Sequence, residues 1–127
     1  LKITIIGAGY VGLNCGAVFA YLGHEVVVVE SLPDKLACLQ AGRCTIHEYG
    51  LPETLAAVRE RLSFAGEIAA ALPGSQVAMI AVGTPPLPSG QPDTSRVEEV
   101  AAAIAEAIAP GQTLPLVIKS TVPVGTN

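Results

Sequence analysis

The sequence is short of the side chains that do chemistry. Only 14% of its residues are charged, there is no tryptophan, and histidine appears twice, as His24 and His47. So few histidines give a metal site little support. Three cysteines, Cys15, Cys38 and Cys44, form no C-x-x-C pair, and their odd number argues against a disulfide framework, so reduced thiols are expected. Basic residues are outnumbered, 7 Lys and Arg against 11 Asp and Glu. The net charge of −4 argues against nucleic acid as a partner, which calls for a basic face. No apolar run reaches the ~18 residues of a membrane span. The apolar start carries Lys2 and breaks into glycines, so it does not read as a signal peptide. A cytoplasmic protein is the expectation, without membrane or nucleic-acid contacts.

Apolar residues, by contrast, make up half of the 127. That excludes disorder and allows one domain with a sizeable core. The thirteen glycines and ten prolines punctuate periodic segments. Ile3 to Ile6 read as an apolar strand covered on both faces. Tyr10 to Leu22 read as a helix, with Val11, Cys15, Val18, Phe19 and Leu22 predicted on its buried stripe and Cys15 as inert packing. Glu25 to Glu30 form a second strand, and Pro33 to Gln40 a short helix with Ser31 as its expected cap. A loop over Arg43 to Gly50 carries His47, Glu48 and Tyr49. Leu51 to Leu62 read as a helix, Ser63 to Ala65 as a short strand, and Glu67 to Leu72 as a brief helix. Gln76 to Val82 form a strand, a helix capped by Asp93 or Thr94 runs to about Ala109, and Leu114 to Lys119 form the last strand. Alternating strands and helices imply an α/β fold: a doubly wound, Rossmann-type parallel sheet in one domain.

Within that order the strongest motif is the first. A β-branched run ends in Gly7, Gly9 and Gly12, spaced G-x-G-x-x-G, and helical periodicity follows at once. Gly7 allows the tight turn, Gly9 a close approach of backbone to a pyrophosphate, and Gly12 close helix–strand packing. Free N–H groups and the helix dipole then favour an anion. Glu30 follows Gly12 by 18 residues and ends the second strand, where an acid accepts hydrogen bonds from the adenosine ribose. It favours NAD over NADP; without the glycines before it, Glu30 would read as a solvated strand-end charge. The glycine turn, Glu30, Thr84 and Thr121 all follow strands directly, so one sheet edge collects all four.

These residues resemble the N-terminal domain of the UDP-glucose/GDP-mannose dehydrogenase family. The likeness rests on residues 2–13, Leu22-Gly23-His24-Glu25-Val26, Ala81-Val82-Gly83-Thr84-Pro85-Pro86 and Lys119-Ser120-Thr121-Val122-Pro123-Val124-Gly125-Thr126. It implies an NAD-binding domain over residues 1–127 of a sugar-nucleotide 6-dehydrogenase, most like those acting on UDP-glucose. Such an enzyme oxidises a C6 alcohol to a carboxylate with two NAD, in polysaccharide biosynthesis, as a homodimer. The resemblance implies cofactor contacts at Gly7, Gly9, Tyr10, Val11, Gly12, Glu30, Lys35, Gly83, Thr84, Pro85, Ser120 and Thr121, with Thr121 also near the reacting carbon. Tyr10 is open to two readings, packing at the helix start or contact with the nicotinamide side.

Two departures stand out. Glu30 replaces the family's usual aspartate, and Glu48-Tyr49-Gly50-Leu51 replaces a common Glu-Pro-Gly-Leu, so Glu48 and His47 are given no catalytic role. The family's thiol nucleophile matches none of Cys15, Cys38 and Cys44, and the chain stops after a strand at Thr126-Asn127. It therefore reads as the cofactor half of a longer enzyme, inactive alone. The sugar could instead be GDP-mannose or UDP-N-acetylmannosamine. The same motifs would also suit the first domain of a hydroxyacid or hydroxyacyl-CoA dehydrogenase, or a non-catalytic dinucleotide-binding module.

Overall fold

A computed structural model describes residues 1–126, leaving Asn127 outside the described residues. The chain runs β1 (Lys2–Ile6), α1 (Tyr10–Tyr21), β2 (Glu25–Val29), α2 (Pro33–Gln40) and α3 (Leu51–Ala57). It continues through β3 (Leu62–Ala65), α4 (Ile68–Ala71), β4 (Val77–Ile80), α5 (Ser95–Ala107) and β5 (Leu116–Ile118). The strands form one parallel sheet in the order β3-β2-β1-β4-β5. This is the expected Rossmann-like α/β fold. The order reverses beside β1, so the crevice at the carboxyl ends of β1 and β4 is where a ligand belongs.

Alternation along each strand divides the core in two. Ile3, Ile5, Val26 and Val28 face α1, α2 and α3, meeting Leu13, Ala17, Leu39 and Leu51. Ile6, Val27, Val29 and Ile80 face α4 and α5, meeting Leu72, Val97 and Ile104. Fully burying each such aliphatic side chain contributes about 2 kcal/mol. β1 is not apolar throughout: Thr4 is buried, but its hydroxyl donates to the Ala71 carbonyl at 3.0 Å and lies 2.7 Å from Ser75 Oγ. A polar group is tolerated there because it is paired.

The face that α1 turns to the sheet differs from the expected stripe. Val11, Val18 and Leu22 are exposed, while Cys15 and Phe19 are half-buried against the core. The buried face is instead Gly12, Leu13, Gly16, Ala17 and Ala20. The cause is distance. A Cβ on Gly12 would fall 1.8 Å from the Gly7 carbonyl oxygen, and one on Gly16 would fall 2.9 Å from Val28 Cγ2. At Gly12 and Gly16 the helix sits too close to its neighbours for a side chain, and Val11, Val18 and Leu22 lie away from that contact.

Two other boundaries move. α3 stops at Ala57 rather than continuing to Leu62: the Arg61 and Leu62 N–H groups both donate to the Val58 carbonyl in a tight turn, and Leu62 opens β3. Ser31 does not cap α2; the N-cap is Leu32, without a side-chain cap, and its N–H donates to the Glu30 carboxylate at 3.0 Å. At α5 the N-cap is Thr94, and the Asp93 carboxylate accepts from the Ser95 N–H at 3.0 Å.

Candidate functional site

The turn after β1 is locked by its glycines. Gly7 has φ +107°, and a Cβ there would lie 2.7 Å from the Ala81 carbonyl oxygen. Its N–H donates to the Val29 carbonyl at 2.9 Å, fastening the turn to the end of β2. Gly12 packs behind it against the Gly7 carbonyl. In front of Gly9, by contrast, there is open space: a Cβ there would meet nothing within 4 Å. Gly9 is also the N-cap of α1 and has no side chain to cap the helix. The first-turn N–H groups are thereby offered to a ligand, with the positive end of the helix dipole behind them.

Two clefts open on either side of this turn. The first, of about 450 Å³, lies between the turn, the end of β2 and the first turns of α5. Gly7, Gly9, Glu30, Lys35 and Gly83 line it. The second, of about 260 Å³, holds Tyr10, Val11, Thr84, Ser120 and Thr121 and shares Gly9 and Gly83 with the first. Of the residues singled out from the sequence, Gly12 and Pro85 line neither. Gly12 supports the turn, and the Pro85 carbonyl accepts from the Asp93 N–H at 2.9 Å, closing the Pro- and Gly-rich loop. Ser120 lines the second cleft, but its hydroxyl donates to the Val82 carbonyl at 2.7 Å and so ties β5 to β4.

Glu30 is not a solvated strand-end charge. It is 7% exposed, at the carboxyl end of the core strand β2. One carboxylate oxygen accepts from the Leu32 N–H, and the other lies 2.7 Å from Lys35 Nζ. An ionised carboxylate has about four lone-pair sites, so two donors fix its orientation and leave acceptor capacity for ligand hydroxyls.

Sequence reasoning missed the α5 wall of the first cleft, made by Arg96, Glu99 and Val100, and the apolar Leu32 and Ile68. The one signal for Arg96 is its type and place: a cation at the start of a helix, after a Pro- and Gly-rich loop. The exposed loop residues His47, Glu48 and Tyr49 line neither cleft, nor do the three free cysteines. A larger hollow of about 600 Å³ lies beside β3, between α2 and α3, and contains none of the motif residues. Among the described residues no cluster of three or more His, Cys, Asp or Glu is placed to hold a metal, and no helix is long and apolar enough to cross a membrane.

The arrangement suits an extended ligand with an anionic centre at the α1 N-terminus and a vicinal diol beside Glu30. Its other end would meet the hydroxyls of the second cleft. Comparisons with known proteins point the same way. Residues 1–127 match the UDP-glucose/GDP-mannose dehydrogenase family, NAD binding domain. A UDP-glucose 6-dehydrogenase of Rhizobium meliloti is 45% identical over 100% of this chain, which covers 29% of that protein. A solved UDP-glucose dehydrogenase from Pyrobaculum islandicum superposes with a TM-score of 0.92 at 42% identity, over 98% of this chain and 30% of its own. A GDP-mannose dehydrogenase from Pseudomonas aeruginosa gives a TM-score of 0.89 at 34% identity, over 96% of this chain and 29% of its own. The chain thus spans under a third of the length of these relatives.

Proposed function

The chain belongs to the UDP-glucose/GDP-mannose dehydrogenase family as its NAD-binding domain, and on that premise we propose that it holds NAD across both clefts. When bound, NAD supplies the hydride acceptor. The residues of this chain do the holding. First-turn N–H groups of α1 take the pyrophosphate. Glu30 accepts hydrogen bonds from the adenosine ribose hydroxyls and repels a 2′-phosphate. Lys35 steadies Glu30 and reaches the same ribose. Tyr10, Val11, Thr84 and Thr121 receive the nicotinamide half. Gly12 and Pro85 act behind the contacts, and Ser120 sets the position of Thr121.

The observation that carries this reading is the burial of Glu30 at the end of β2, in the same cleft as Gly7 and Gly9. An unpaired strand-end charge gains nothing from burial, whereas an acceptor held by Leu32 and Lys35 is oriented for a diol.

The full enzyme on this reading is a UDP-glucose 6-dehydrogenase that oxidises the C6 alcohol to the carboxylate of UDP-glucuronate, reducing two NAD. The 45% identical relative named for UDP-glucose favours that sugar over GDP-mannose. Thr121, in the lining of the second cleft, offers a hydroxyl to water or to a developing oxyanion near the reacting carbon. Residues 1–127 then form a cofactor-binding domain that does not turn over alone, within a homodimeric, cytoplasmic enzyme of polysaccharide biosynthesis. The three free thiols agree with a reducing compartment.

Titration calorimetry of the chain with NAD and NADP tests the cofactor assignment. NAD is expected to bind tighter, and equal affinities would refute the role given to Glu30. For the full enzyme, the expected stoichiometry is two NADH per UDP-glucuronate.

A further inference from the structure

The α5 wall of the first cleft carries two charges, Arg96 and Glu99, and the arginine takes part in no ion pair. Arg96 is the second residue of α5, where the positive end of the helix dipole disfavours a cation. The acid of that first turn, Glu98, accepts a hydrogen bond from the Thr94 hydroxyl at 2.9 Å. Lys35 with Glu30 is the one ion pair among the described residues. The guanidinium of Arg96 thus stands exposed at the edge of the cleft with no carboxylate in ion-pair range. Beside it the cleft is lined by Glu99 and by the apolar Leu32, Ile68, Val82 and Val100. A carboxylate among apolar side chains suits a planar heterocycle better than a phosphate.

Resting on the NAD reading above, we propose that Arg96 covers the adenine ring of the dinucleotide and positions its adenosine half. The pyrophosphate belongs at the glycine turn and the ribose at Glu30, so the base continues past Glu30 into the part of the cleft walled by Ile68 and α5. A planar guanidinium stacks on an aromatic face, and the attraction grows as the pair is desolvated. Binding relieves the misplaced charge by giving it the π electrons of the base. Lys35, already paired with Glu30, is the less available cation.

Calorimetry on the whole chain and on Arg96→Ala tests this with NAD, NADP, ADP-ribose and nicotinamide mononucleotide as probes. The substitution should weaken NAD and ADP-ribose alike, by roughly three- to thirty-fold. Nicotinamide mononucleotide, which lacks the adenine, should bind unchanged, and NADP should weaken by the same factor as NAD. Unchanged NAD affinity would overturn the proposal while leaving the NAD reading intact. A loss confined to NADP would also overturn it, by assigning the guanidinium to a phosphate. Failure of the parent chain to bind either NAD or ADP-ribose would remove the NAD reading and this inference with it. If Arg96→Ala lowers the melting temperature, Arg96→Gln, which keeps the length and helix propensity, must show the same pattern.

Discussion

The two clefts on either side of the glycine turn are finished to different degrees. The first is cut into the core: Ile6, Ala8, Val29 and Glu30 are all buried, and an ion pair fixes its acid. The second shares the buried Ala81 with it but is otherwise more exposed. Tyr10 is 54% exposed, Val11 43%, and the adjoining edge strand β5 has only three residues, with Leu116 and Val117 each 40% exposed. On the reading proposed above, the first cleft takes the adenosine half with residues of this chain alone. The second takes the nicotinamide half beside β5, the last strand of the described residues.

Substitutions at four sites separate the two clefts. Gly12→Ala should abolish both, because its Cβ would collide with the Gly7 carbonyl oxygen at 1.8 Å and push α1 off the sheet. A loss of about 3 kcal/mol or more is expected, read from denaturant unfolding, together with the loss of NAD binding. Retained stability would mean that the close packing is dispensable. Thr121→Ala touches only the second cleft. In the full enzyme it should lower turnover by about 100-fold while leaving the affinity of the domain for ADP-ribose unaltered. A change in ADP-ribose affinity would show that the clefts are not independent.

Glu30→Ala touches only the first cleft. It should cost NAD about 1–3 kcal/mol of binding, measured by calorimetry, and narrow the preference over NADP. The smallest effect is expected at Asp93, at the start of the α5 wall. The Ser95 N–H and hydroxyl hold its carboxyl below the usual aspartate range. Its contribution is therefore complete above that range and fades as pH falls through the lowered value. Hydrogen-exchange protection factors at the first turn of α5, taken relative to the intrinsic exchange rate at each pH, should fall on acidification, and Asp93→Asn should flatten that dependence.

Much of this was legible in the sequence. The glycine spacing, the acid after β2, and Thr84 and Thr121 after later strands placed the site on one sheet edge, because each of these features is local. What escaped were properties of distance. Val11, Val18 and Leu22 have helical spacing and bulk, the usual marks of a buried stripe, yet the glycines of α1 reverse the choice by bringing the helix too near the sheet. α3 overran its end because neither Gly nor Pro marks it, and Val58 and Leu62 are buried in the same core cluster whether or not the helix continues. Arg96 was invisible because the wall it joins is assembled from β2, α4 and α5, which are distant in sequence.

The contact behind the turn has a consequence at the level of the gene. Every single-base change in a glycine codon that still encodes a different amino acid adds a Cβ, whether the product is alanine, serine, valine, cysteine, aspartate, glutamate, arginine or tryptophan. At the Gly12 codon each of these would place that atom 1.8 Å from the Gly7 carbonyl oxygen. Position 12 should therefore admit synonymous changes only, and in a saturation library selected for function its column should be empty beside the permissive column for the exposed Val11.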